Sequence, residues 1–162
     1  MTKASSPLEG NAAERVAALT TENPYLSSGR KPRLLIVGAG MMGREHLRVS
    51  QLLGWADVQG IVDPDGGSLE WACADWRLLT GAPLTVYRGL SEACLDDAVD
   101  AIVIATPNHT HRDVLHAVAA SHKPVLLEKP MATTLADAMD IVKLARDYPA
   151  VIQLGMQYRF KA

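Results

Sequence analysis

The sequence predicts an α/β protein, a doubly wound parallel sheet with helices on both faces, and three observations carry that prediction. From Arg33 onward, short apolar runs rich in β-branched residues alternate with helix-length amphipathic segments, the pattern of βαβ units. The run Leu34-Leu35-Ile36-Val37 leads into Gly38-Ala39-Gly40-Met41-Met42-Gly43, a strand passing through GxGxxG into a helix. The next apolar run ends on Asp63, 20 residues beyond the last of those glycines.

Taken in chain order, residues 1–32 are rich in Ser, Thr, Ala, Gly and Asn and read as a flexible N-terminal arm, with one short helical stretch near Ala12 to Leu19. Strands are expected at Leu34 to Val37, Val58 to Val62, Leu84 to Tyr87, Ala101 to Ala105, Pro124 to Leu127 and Val151 to Leu154. Helices are expected between them, at Met42 to Leu53, Ser68 to Leu79, Leu90 to Leu95, His111 to Ala120 and Leu135 to Asp147. Two helix starts carry a hydroxyl followed three residues later by a carboxylate, Thr110 with Asp113 and Thr134 with Asp137, which suits capping. Residues 33–155 therefore form one expected domain, and residues 156–162 the start of a crossing to something beyond it.

Bulk composition narrows the function classes. A chain of 162 residues, 48% apolar, supports one domain with a full core. Its net charge of −2 gives no field to hold a polyanion, so no nucleic acid partner is expected. The apolar runs are strand-sized, and Met1 to Leu8 lacks the pattern of a secretory signal, so neither membrane insertion nor export is expected and the cytoplasm is the default address. Cys73 and Cys94 have no metal-type or redox-type spacing and read as free thiols in the core.

The glycine run has a specific physical logic. Gly38 permits the tight turn off the strand, Gly40 lets the backbone approach a pyrophosphate, and Gly43 lets the helix pack close to the strand. The amides around Met41 and Met42, at the helix amino terminus, add donors and a partial positive charge for phosphates, while the two methionine side chains read as gap-filling packing. Asp63 is placed to accept hydrogen bonds from an adenosine ribose. A 2′-phosphate would meet its like charge, and Pro64-Asp65-Gly66-Gly67-Ser68 holds no Arg or Lys to offset it. The pattern points to a dinucleotide, and to NAD in preference to NADP. The bland alternative makes Asp63 a plain turn-starting acid.

Two further segments sit after expected strands: Ala105-Thr106-Pro107-Asn108-His109-Thr110-His111, and Glu128-Lys129-Pro130. With Gln157-Tyr158-Arg159-Phe160 near the end, they make the chain resemble the Gfo/Idh/MocA oxidoreductase family over about Arg33 to Phe160. The resemblance implies a Rossmann-type domain whose usual C-terminal α+β partner is absent from these residues. It implies that Lys129 sits beside the nicotinamide and the reacting hydroxyl, and that Glu128 lies on the nicotinamide side. Thr106, Pro107 and Asn108 would line the cleft, joined by His111 and Gln157. For His111 a packing role at the helix start is an equal alternative, and for Gln157 a place at the domain junction.

Four of the five histidines, His109, His111, His116 and His122, cluster in the sequence, but their spacing fits no metal site and no metal is expected. Trp55, Trp71 and Trp76 read as covers for the sheet or the core edge. The resulting expectation is the nucleotide-binding domain of a longer, homo-oligomeric dehydrogenase. It would pass hydride between NAD and a secondary hydroxyl of a sugar, cyclitol or related polyol, and be inactive by itself. The alternative is a free-standing NAD-binding regulatory module without catalysis.

Overall fold

The short apolar runs become a five-stranded parallel sheet, and the amphipathic segments between them become the helices on its two faces. The computed structural model describes residues 29–160. The expected arm, with its short helical stretch, lies outside the described residues apart from its last four.

The elements are β1 (Arg33–Val37), α1 (Met41–Leu53), β2 (Asp57–Val62), α2 (Gly66–Thr80), α3 (Leu90–Leu95), β3 (Ala101–Ile104), α4 (His111–Val118), β4 (Val125–Leu127), α5 (Leu135–Asp147) and β5 (Ile152–Leu154). Short 3-10 turns occupy Asn108–Thr110, Ala119–Ser121 and Gln157–Phe160. The strand order is β2-β1-β3-β4-β5, with every neighbouring pair parallel. The chain leaves β1 toward β2 and later returns to its other side with β3. This reversal opens a crevice above the β1/β3 boundary at the carboxyl edge, the place where doubly wound sheets take ligands.

Alternation along β1 sorts side chains between two cores. Leu35 and Val37 join Ile102, Ile104, Leu115, Val118, Val125, Leu127 and Ile141 on one face. Ile36 joins Leu47, Ile61, Ala72, Trp76 and Val103 on the other, under α1 and α2. Arg33 ties the residue before β3 to the start of β1: its backbone amide and Nε both donate to Asp100 Oδ2, at 2.8 and 2.9 Å.

Four expectations are corrected. The strand at Leu84 to Tyr87 shrinks to a single bridge between Ile61 and Val86, held by Ile61 N–H to the Thr85 carbonyl and Tyr87 N–H to the Ile61 carbonyl. The segment lies outside β2 at the sheet edge, where no further neighbour rewards extension, and Pro83 before it has no amide to give. Thr110 makes no capping bond to α4. The 3-10 turn runs straight into the helix, so Thr110 has helical rather than extended backbone, and its hydroxyl instead donates to Pro107 O and lies in hydrogen-bonding contact with the Thr106 hydroxyl. Thr134, which is extended, does cap: its Oγ1 accepts the Asp137 amide at 3.1 Å. Trp76 is buried, whereas Trp55 and Trp71 are exposed. Five positions along α2 rotate a side chain by about 140° at 100° per residue, so Trp71 and Trp76 cannot share one face. The Met41 side chain is likewise exposed rather than packed, since the first residue of α1 points away from the sheet. Cys94 is buried and Cys73 half-buried, both as free thiols.

Among the described residues no helix is long and apolar enough to cross a membrane, and no group of His, Cys, Asp or Glu side chains is placed to hold a metal ion.

Candidate functional site

The carboxyl edge of the sheet gathers the glycine turn, Asp63, the Thr106 turn and the Glu128-Lys129-Pro130 turn. Each follows directly from a parallel strand, so the fold delivers all four to one rim.

At the end of β1, Gly38 has φ 103°, and a Cβ there would lie 2.7 Å from the Ala105 carbonyl oxygen and 2.9 Å from the Thr106 amide nitrogen. The glycine turn thus rests on the Thr106 turn with no room for a side chain. Gly43 is tighter still, because its Cβ would lie 1.8 Å from Gly38 O and 3.6 Å from an Ile36 side-chain carbon. Gly40 is the opposite case. It is exposed, a Cβ there meets nothing within 4 Å, and as N-cap of α1 it offers no side chain to close the first turn. The first turn of α1, at Met41 and Met42, thus has no side-chain cap, the kind of helix amino terminus that could hold a phosphate.

Asp63, at the end of β2, is half-buried and already engaged. Its Oδ2 accepts the Ala39 amide at 2.6 Å and its Oδ1 the Asp65 amide at 2.8 Å. Each carboxylate oxygen retains a second lone-pair direction for a ribose hydroxyl. Asp65 caps α2 by accepting the Ser68 amide at 2.7 Å, and hydrogen bonding from Ser68, its side chain first and then its amide, holds the Asp65 carboxyl below the usual range.

On the other side of the crevice, Glu128 ends β4 and is buried, with its side chain only 9% exposed. Its Oε1 accepts from His46 Nε2 at 2.9 Å, the ring nitrogen that must carry hydrogen to face a carboxylate, and its Oε2 accepts the Lys129 amide at 3.1 Å. Lys129 itself is exposed, as are Pro107, Asn108 and Gln157, while Thr106 is half-buried. The Lys129-Pro130 peptide is cis.

His111 lies beneath these turns with no exposed surface. Its Nδ1 faces Pro130 O and its Nε2 faces Thr106 O, each at 3.0 Å. The imidazole therefore staples the two turns together from below. With nothing exposed it offers no face to a ligand, and its contribution to the cleft is positional.

Sequence reasoning missed His46. It is the one histidine outside the sequence cluster, yet its spacing carries a signal. It lies three residues after Gly43, close to one helical turn on, so it shares the face of α1 that packs on the sheet.

A family model described as an oxidoreductase family with an NAD-binding Rossmann fold, GFO_IDH_MocA, matches residues 32–156. An inositol 2-dehydrogenase of Leifsonia xyli subsp. xyli is 37% identical over 132 residues, covering 79% of this chain and 37% of the relative. The rhizopine catabolism protein MocA of Rhizobium meliloti is 33% identical, covering 79% and 38%. Among solved structures, myo-inositol dehydrogenase from Lactobacillus casei, in complex with NAD(H) and myo-inositol, superposes with a TM-score of 0.70 at 27% identity, covering 81% of this chain and 38% of that one. The WlbA dehydrogenase of Bordetella pertussis, in complex with NADH and UDP-GlcNAcA, gives 0.68 at 30% identity, covering 82% and 39%. The chain spans a little over a third of the length of these relatives.

Proposed function

Since this chain belongs to the Gfo/Idh/MocA oxidoreductase family, as its NAD-binding Rossmann domain, we propose that it is the cofactor half of a dehydrogenase that exchanges hydride between NAD and a secondary hydroxyl of a sugar, cyclitol or related polyol. The observation that carries this reading is the placement of Lys129. An exposed ammonium stands at the end of β4, across the crevice from the glycine turn, on a turn fixed by Glu128 and His111. The inositol and sugar-nucleotide ligands of the relatives support the polyol class.

Each residue of this chain then has a task. Gly38, Gly40 and Gly43 shape the cradle, and the amides of Met41 and Met42 meet the pyrophosphate. Asp63 accepts the adenosine ribose hydroxyls and discriminates against a 2′-phosphate, which makes NAD the preferred cofactor over NADP. Thr106, Pro107 and Asn108 line the middle of the cleft, and Gln157 reaches its far end after β5. Lys129 donates to the substrate oxygen and stabilises the negative charge that grows there as the carbinol hydrogen departs. NAD, when bound, supplies the hydride acceptor. The hydroxyl proton needs a base, which we assign to a second domain in a longer, homo-oligomeric protein. A cytoplasmic setting suits the two free thiols.

The test is calorimetry with NAD and NADP on residues 1–162, followed by absorbance assays across sugars and inositols. We expect NAD binding, tighter than NADP, and no turnover, because hydride transfer needs both reactants held close together. Steady turnover by this chain would place the complete catalytic set within it. Failure to bind NAD would overturn the reading.

A further inference from the structure

We propose that His46 is a positioning residue for the nicotinamide end of the cleft, acting through Glu128. The inference rests on the cofactor reading above and extends it to a side chain that the glycine and Glu-Lys-Pro motifs leave out.

Strand order gives the cleft its polarity. Asp63 ends β2 on one side of the glycine turn, and Glu128 ends β4 on the other. A dinucleotide whose pyrophosphate lies at the amino terminus of α1 and whose adenosine ribose meets Asp63 extends its second nucleoside toward β3 and β4. Glu128 therefore borders the nicotinamide half.

A carboxylate this buried is costly unless it is paired, and among the described residues its two oxygens have two donors, His46 Nε2 and the amide of Lys129. The Lys129 amide is adjacent in the chain and moves with Glu128, so it cannot fix where the carboxylate points. His46 can, because it stands on α1, an independent element whose amino terminus also faces the pyrophosphate. Space on the far side is limited as well: a Cβ at Gly155 would come within 3.4 Å of Glu128 Oε1. The pair thus couples the helix that holds the phosphates to the turn that presents Lys129. The His46 side chain is 22% exposed, so the contact is not sealed in the core.

Cofactor fragments separate this role from a merely structural one. ADP-ribose carries the adenosine half and both phosphates but no nicotinamide. With residues 1–162, calorimetry should give similar ADP-ribose affinity for the unsubstituted chain and for His46→Ala. NADH affinity should fall about tenfold in His46→Ala, the scale of one hydrogen bond to a charged partner. His46→Gln, whose amide N–H can still donate to the carboxylate, should recover most of that loss and keeps the test decisive if the alanine variant does not fold. An equal fall in ADP-ribose and NADH affinity, or no change in either, would overturn the positioning role while leaving NAD binding intact. An unsubstituted chain that binds neither compound would overturn the cofactor reading and this inference together.

Discussion

The carboxylate of Asp63 accepts the amide of Ala39 at 2.6 Å, so the acid ending β2 and the glycine turn ending β1 form one hydrogen-bonded unit. A residue chosen by sequence spacing for a ribose also shapes the turn meant for the phosphates.

That double duty separates two substitutions. Asp63→Ala should narrow the gap between NAD and NADP affinities and also cost about 2 kcal/mol of folding stability, because two amide hydrogen bonds to a charged acceptor, one part-buried and one exposed, are lost. Asp63→Asn keeps an oxygen for the Ala39 amide and should narrow the same gap with a smaller stability loss. Paired calorimetry and denaturant titration check both. Tighter binding of NADP by the unsubstituted chain would remove Asp63 from the specificity role.

The three glycines should respond differently to the same added methyl group. Gly43→Ala forces carbon to within 1.8 Å of the Gly38 carbonyl oxygen, so α1 must move; at least about 3 kcal/mol should be lost, with NAD binding lost alongside. Gly40→Ala meets nothing within 4 Å and should fold normally, while weakening NAD by occupying the phosphate cradle. Normal NAD affinity in Gly40→Ala, measured by calorimetry, would move the pyrophosphate elsewhere.

In the longer dehydrogenase proposed above, Lys129→Met should leave NAD affinity within a few-fold while turnover falls about a hundredfold, around 3 kcal/mol in the barrier. The ammonium is exposed and forms no part of the phosphate cradle, so its removal should spare folding. Steady-state rates together with cofactor titration distinguish this outcome from a general loss of structure.

Alkaline conditions should destabilise the domain through Cys94. Burial pushes its thiol up to about 11 from an ordinary value near 9, so the unfolded chain ionises first. The stabilising difference is complete below pH 9 and disappears as pH rises toward 11. Tyr87, raised mainly by burial and then by its hydrogen bond to Asp96, and Tyr148, raised by burial, act in the same direction above pH 10. Denaturant midpoints measured from pH 8 to 11 should fall, and Cys94→Ala should flatten the early part of that fall. An unchanged slope in the variant would show that Cys94 is not the titrating group.

What the sequence determined by itself was local and periodic. Short apolar runs placed β1, β2, β3, β4 and β5 to within a residue or so, and the glycine run marked the turn from β1 into α1, because a turn's steric needs are written into adjacent residues. Thr134, extended and followed by Asp137, capped α5 as expected for the same reason. Only the tertiary structure decided what depends on neighbours distant in the chain. It reduced Leu84 to Tyr87 to one bridge because that segment found an edge with nothing beyond it. It turned His111 into a staple between two turns and Trp71 outward, since burial belongs to the face a helix presents. The meeting of His46 with Glu128, 82 positions apart, follows from the packing of α1 beside β4's end and has no local signature beyond a histidine one turn past a glycine.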